Sequence, residues 1–282
     1  MAEAIRELPG AWNFRDVSDS TGALLRPGRL FRSSELSRLD DDGRATLRRL
    51  GITDVADLRA AREVSRGGPG RVPDGIEIHR LPFPDIAAPK ADDGAETDGA
   101  APHERAFQQL LANAVAEDSD QSINAAATRY MTDEYRQFPM RNGAQSALHR
   151  VITLLAAGRS VLTHCFAGKD RTGFVVATVL ETIGIDRDSI VADFLRSNDA
   201  APQLRARVSE MIQQRAEMTE LTPEVVTFTA ARLSDGVLGV REEYLAAARQ
   251  TIDDAYGSLD GYLRDAGITE ADVDQLRSTL LS

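Results

Sequence analysis

Val161-Leu162-Thr163-His164-Cys165-Phe166-Ala167-Gly168-Lys169-Asp170-Arg171-Thr172-Gly173-Phe174 is the stretch on which the fold turns: an apolar run that meets His-Cys and breaks into a short polar loop. Residues 161–163 are predicted to form a buried strand and residues 172–183 (TGFVVATVLETI) a largely apolar helix, which leaves 165–171 as the turn between them. Strand, tight loop and helix N-terminus in that order make a cradle for an anion. Successive backbone N–H groups of such a turn converge, and the helix adds the positive end of its dipole. Cys165 is the only cysteine in 282 residues and sits at the lip of this cradle. A field that favours phosphate also favours a thiolate, so the sulfur is expected to act as a nucleophile. Arg171 closes the loop with a planar fork of donors suited to two phosphoryl oxygens. Thr172 follows with a hydroxyl able to donate to the sulfur as a thiophosphate is hydrolysed.

Competing uses of these residues fail on spacing. An ATP-binding loop would need a glycine where Thr163 stands and Ser or Thr where Asp170 stands. A zinc site lacks ligands, because His79, His103, His149 and His164 are scattered beside a single cysteine. No metal and no cofactor is therefore expected. A lone cysteine after an apolar run is ordinarily a small core residue; the loop that follows is what argues for chemistry.

Composition sets the outer bounds. With 42% apolar and 27% charged residues in 30.6 kDa, the chain has the make-up of a soluble globule with a substantial core, read as one domain over 1–282. It has no run of eighteen apolar residues, and its start, MAEAIRELPGAW, lacks the basic-then-apolar pattern of a cleaved signal, so neither a transmembrane segment nor Sec export is expected. One cysteine suits a reducing compartment. A net charge of −11 argues against nucleic acid and anionic membranes as partners, so local basic sites must draw any phosphorylated substrate.

His-Cys, five residues, then Arg-Thr resembles the signature of the cysteine-dependent protein tyrosine phosphatases at every defining position. The narrower HCFAGKDRTG resembles the loop of lipid-type and atypical members, in which the added lysine contacts multiply phosphorylated or lipid substrates. Taken with the flanking chain, the likeness runs nearly end to end to the secreted mycobacterial branch of that family. It implies an α/β fold in a single domain, with a small parallel central sheet flanked by helices, the phosphate loop at the C-terminal edge of the strands, and an inserted helical pair as a lid. It implies hydrolysis of phosphotyrosine, phosphoserine and phosphothreonine proteins and of phosphoinositides through a cysteinyl-phosphate. Cys165 and Arg171 are then catalytic, and Phe166, Ala167, Gly168, Lys169, Asp170 and Thr172 line the phosphate. It further implies substrates in a host cell, reached from the cytoplasm without a recognisable signal peptide, with action in a reducing cytosol. Oligomeric state is left open. A strict phosphoinositide phosphatase is the alternative among enzymes, with an arsenate- or sulfate-processing enzyme behind it. Outside enzymes, the alternative is a phosphate-binding pseudoenzyme that holds a partner.

Toward the N-terminus, Asn13-Phe14-Arg15-Asp16 and Leu30-Phe31-Arg32-Ser33 look like the opening elements of the family, and 5–35 is predicted as short strands and turns. Arg15, Arg29 and Arg32 are expected to be solvated or to satisfy carbonyls, at most shaping the pocket floor. A helix is predicted over 37–50 and a strand over 52–58. The family places the following Leu-Arg near the phosphate, making Arg59 and Glu63 candidate pocket residues; the plainer reading is an ion pair at spacing four. A strand over 76–83 delivers Asp85 to the edge where an α/β sheet presents its loops. The family uses a loop aspartic acid to protonate the leaving oxygen, so Asp85 is favoured for that role over Asp170, which its own loop fixes, although the Trp-Pro-Asp element of receptor-type enzymes is absent. Residues 87–101 are small and acidic and are predicted to be flexible. Helices are predicted over 107–115, 125–138, 145–157 and 188–197. Further helices over 203–218 and 223–233 are a core hairpin on their own pattern and the lid by resemblance. Helices over 240–256, 259–263 and 269–281, the last with a capping sequence, complete the domain.

Overall fold

A computed structural model describes residues 7–83, 120–219 and 235–282. Asp85 and the expectations for 87–101, 107–115 and 223–233 lie outside the described residues. Within them, strands β1 (Arg15–Asp16), β2 (Leu30–Ser33), β3 (Asp54–Asp57), β4 (Glu77–Arg80) and β5 (Val161–His164) form one sheet in the order β1-β2-β5-β3-β4. Around it run helices α1 (Ser18–Thr21), α2 (Asp41–Arg49), α3 (Ala61–Gly67), α4 (Asp120–Gln137), α5 (Asn142–Ala156), α6 (Asp170–Thr182), α7 (Arg187–Leu195), α8 (Ala201–Thr219), α9 (Asp235–Leu238), α10 (Glu242–Tyr256), α11 (Leu259–Asp265) and α12 (Glu270–Leu280).

The strand alternation sorts side chains between two cores. Leu30, Ala56 and Val161 join one apolar cluster, and Phe31, Val55 and Leu162 join the other. Such period-two sorting with both faces covered is what a parallel sheet requires. The expected parallel sheet is there in β2, β5, β3 and β4, with β1 added at its edge antiparallel to β2. Between them the chain doubles back locally, with the Val17 amide donating to the Leu30 carbonyl and the Gly28 amide to Asp16. A local return of that kind yields antiparallel neighbours.

The register builds the site. Ser33 and Asp57 both lie opposite His164, so β2, β3 and β5 end together and release Ser34-Glu35, Leu58-Arg59 and Cys165 at one edge. The expected helix over 37–50 begins only at Asp41. Asp40 caps it by accepting from the Gly43 amide, while Ser37 lies before it and gives its hydroxyl to Glu35. The helix after the cysteine starts at Asp170 rather than at 172, which brings Asp170 and Arg171 into its first turn. The capping sequence at Thr269 does form a reciprocal box with Asp272.

Asn198 donates to the Val240 carbonyl at 3.1 Å and accepts from the Val240 amide at 2.7 Å, so the chain on either side of 201–234 is joined by a reciprocal pair. Among the described residues no helix is long and apolar enough to cross a membrane.

Phe174, on the first turns of α6, is buried between Phe138 and Tyr262 and fixes the helix that carries Arg171. Phe174→Ala is expected to lower the free energy of unfolding by roughly 3–5 kcal/mol, read from urea denaturation.

Candidate active site

Cys165 follows directly from β5 and is 3% exposed. The next four carbonyls are each held by a donor outside the loop or in the helix that follows it. Phe166 O accepts from the Glu35 amide at 2.9 Å, and Ala167 O from Asn13 Nδ2 at 3.0 Å. Gly168 O accepts from Arg32 Nη2 at 2.7 Å, and Lys169 O from the Gly173 amide at 2.9 Å and Arg32 Nη2 at 3.3 Å. Gly168 has φ +67°, and a Cβ there would lie 2.1 Å from the Ser33 carbonyl oxygen, so only glycine fits.

Arg171 reaches back from α6 across the edge. Its Nη1 and Nη2 donate to Glu63 Oε2 and Oε1 at 2.6 and 2.7 Å, and Nη1 also donates to Leu58 O. Glu63 is itself steadied, because Oε2 accepts from the Ala60 amide at the start of α3. Burial works against the Arg171 charge, but Glu63 more than offsets it, and the guanidinium is held charged more firmly than usual. Glu63, a candidate pocket residue from the sequence, is thus placed against Arg171. The alternative of an Arg59–Glu63 hydrogen-bonded pair is not what forms: Arg59 instead donates Nε and Nη2 to Asp57 at 2.9 and 2.8 Å and Nη1 to Glu35 at 3.2 Å. Arg59 lies under the edge as a brace rather than as a free phosphate donor.

His164 sets its Nδ1 3.1 Å from the Cys165 carbonyl, which can only accept, so that nitrogen carries a proton. Burial pushes the imidazole below its ordinary value and keeps it neutral at pH 7. Thr172 Oγ1 is buried without a hydrogen-bond partner among the described residues, as a hydroxyl reserved for another acceptor would be.

Lys169 and Asp170 are both held by groups from outside the loop as well as by each other. The Lys169 ammonium does not face an open loop; it is buried, donates to Val237 O at 2.7 Å and Gly239 O at 3.1 Å, and lies 3.3 Å from Asp170 Oδ2. Asp170 Oδ1 accepts from the Tyr135 hydroxyl at 3.1 Å. Phe166 and Ala167 pack with Leu204, Ile212 and Leu238, so α8, the first helix of the expected lid, lies against the loop itself. Trp12 meets the Phe166 ring edge-on, with centroids 6.2 Å apart.

Sequence reasoning missed Glu35, Asp57, Tyr135 and Asp193, and for Asn13 it gave a place in the Asn-Phe-Arg element but no role. Glu35, Tyr135 and Asp193 meet partners far away in the chain, whereas Asp57 meets Arg59 only two residues on. Arg15 and Arg32, expected at most to shape the floor, are both buried on Asp193, while Arg29 donates to Gly158 O as a carbonyl partner. Asp54, Glu77 and His79 are close enough to one another to suggest a metal. Asp54 and Glu77 open β3 and β4 at the end away from the loop, and Asp54 and His79 are already engaged by each other, Arg159 and Arg150.

A model of the tyrosine phosphatase family matches residues 6–282. The chain is similar to the triple specificity protein phosphatase PtpB of Mycobacterium tuberculosis, at 75% identity over 282 residues, spanning 99% of each chain. It is also similar to a putative tyrosine-protein phosphatase of Cupriavidus necator, at 32% identity over 273 residues, spanning 96% of this chain and 86% of the relative. A tyrosine-protein phosphatase of Nostoc commune is 25% identical over 252 residues, spanning 88% of this chain and 73% of the relative.

Asp57 gives the site a defined acid sensitivity. Burial opposes its charge, but His164 and Arg59 favour it and bring its value down to about 2; with His164 neutral at pH 7, Arg59 is the cation that persists there. A value depressed by folding means stability that is present above the ordinary 3.8 and lost as pH falls toward about 2. The stability advantage of wild type over Asp57→Asn is therefore expected to shrink steadily from about pH 5 to about pH 2, measured by denaturant titration at each pH.

Proposed function

The chain belongs to the tyrosine phosphatase family, and on that premise we propose that it removes phosphate from phosphotyrosine, phosphoserine and phosphothreonine proteins and from phosphoinositides through a cysteinyl-phosphate intermediate. The observation that carries this reading is the lone cysteine at the mouth of a loop whose closing arginine, on the first turn of α6, is clamped by Glu63. Cys165 Sγ attacks phosphorus, the S–P bond forms, and the bond to the leaving oxygen breaks. Loop amides and Arg171 hold the equatorial oxygens as charge gathers on them. Water then attacks phosphorus, and the sulfur leaves as thiolate with the Thr172 hydroxyl as its donor.

The leaving oxygen needs a proton, and two carboxylates are proposed for it. Asp170 stands within the loop, held by Tyr135 and Lys169. Asp85 follows Phe83, a buried anchor beyond the C-terminal end of β4, at the same sheet edge. Helix α8, packed on Phe166 and Ala167, is proposed to serve as the first half of a cover over the loop. Action on host-cell substrates in a reducing cytosol, after export, is supported by the family resemblance and by a cysteine that is free. Lys169 would reach a second phosphate of a substrate only by leaving the Val237 and Gly239 carbonyls.

Initial rates on a phosphotyrosine peptide and on phosphatidylinositol 3-phosphate, without added metal, test the reading. Wild type is expected to turn over both, and Cys165→Ser neither, while the variant still binds inorganic phosphate. Appreciable turnover by Cys165→Ser would sink the mechanism, and turnover of the lipid alone would restrict the enzyme to phosphoinositides.

The proton donor is read from pH–rate profiles of Asp85→Asn and Asp170→Asn. The variant that lacks the donor is expected to lose the basic limb for poor leaving groups. Asp170→Asn is separately expected to lose about 3 kcal/mol of stability, since it leaves the buried Lys169 ammonium without its carboxylate; Asp170→Asn as stable as wild type would mean that the pair contributes nothing.

A further inference from the structure

Across a planar trans peptide, the carbonyl of one residue and the N–H of the next point in opposite directions. Holding the carbonyls of Phe166, Ala167, Gly168 and Lys169 outward therefore turns the N–H groups of residues 167–170 inward. Among the described residues, the N–H groups of Ala167, Gly168 and Lys169 donate to no carbonyl. The donors that hold the carbonyls come largely from the two opening elements of the chain, which the phosphoryl-transfer steps leave unused.

Asn13 is the one non-glycine residue in the left-handed region among those described, at φ 53°. Its carboxamide nitrogen donates to Ala167 O, and its Oδ1 accepts from Arg15 Nη1 at 2.6 Å, which fixes which end of the amide meets the loop. Arg15 in turn donates Nε to Asp193 Oδ1 at 2.8 Å, while Arg32 donates Nη1 to Asp193 Oδ2 at 2.6 Å and Nη2 to the Gly168 and Lys169 carbonyls. One buried carboxylate thus anchors two arms, and both end on the outer side of the loop.

We propose that Asn13 and Arg32, anchored through Asp193, are positioning residues that preset the phosphate loop, turning its amides inward before a phosphoryl group arrives. The proposal rests on the phosphatase reading for its consequence, since donors aligned in advance need no rearrangement as negative charge develops on the transferring group.

Tungstate, an unreactive oxyanion, separates the two ideas because its binding needs no turnover. Asn13→Gly deletes the carboxamide at a position whose backbone glycine adopts freely, so the fold is expected to hold. For this variant tungstate affinity by calorimetry should weaken about tenfold, and kcat/KM on an aryl phosphate should fall at least as far, with the thermal midpoint near that of wild type. Arg32→Lys keeps a cation for Asp193 but cannot span both Asp193 and the loop carbonyls, and should weaken tungstate likewise. If Arg32→Lys does not fold, Asn13→Gly alone decides. Tungstate affinity unchanged in Asn13→Gly would overturn the proposal, as would a wild type that binds no tungstate. A wild type that binds tungstate but turns over no phosphoester, with Asn13→Gly binding more weakly, would remove the hydrolysis reading and support this one.

Discussion

Charge taken out of water must meet opposite charge, and the ground beneath the phosphate loop is organised by that requirement. Arg15, Arg32, Arg59 and Arg171 are at most 4% exposed, and they meet Asp193, Asp57, Glu35 and Glu63, which are at most 6% exposed. Such pairs add little net stability over an apolar core of the same shape, but removing one partner strands the other. Their gain is in specification: a guanidinium with a buried partner has one place to be. The loop inherits that definiteness, since its outer carbonyls are tied to members of the same set.

The pairs also join into a line that crosses the molecule. Asp57 at the end of β3 holds Arg59, Arg59 holds Glu35, and Glu35 accepts from Arg207 on α8. The Glu35 amide meanwhile holds the Phe166 carbonyl. Sheet, loop and overlying helix therefore share one residue. The outer continuation through Glu210 to Arg38 is exposed and weak by comparison, so α8 is fixed chiefly by Glu35 and by the apolar contacts of Leu204 and Ile212 with the loop.

Much of this was legible in the chain. The strand, loop and helix around Cys165 follow from an apolar run meeting polar residues and glycine, and Arg171 and Thr172 follow from their spacing to the cysteine. The α12 cap was visible because its two members lie three residues apart. What stayed hidden has partners distant in sequence. Arg15 and Arg32 looked solvent-facing because alternating apolar and basic residues usually are, and Asp193 stands 178 and 161 residues away from them. The carbonyls of Val237 and Gly239 that receive the Lys169 ammonium were hidden too, because they lie 68 and 70 residues away. The start of α2 was placed four residues early because nothing in 37–40 alone shows that the Asp40 side chain takes the Gly43 amide as the cap.

The reciprocal hydrogen bonds between Asn198 and Val240 have a topological meaning. They close the chain at the foot of residues 201–234, so the body of the domain meets that stretch as a loop whose ends are already joined. The entropy of closing such a loop grows only slowly with its length. A change in the length of the stretch therefore costs the closure little, while Arg207 on Glu35 and Leu204 and Ile212 on the phosphate loop tie its first half to the domain.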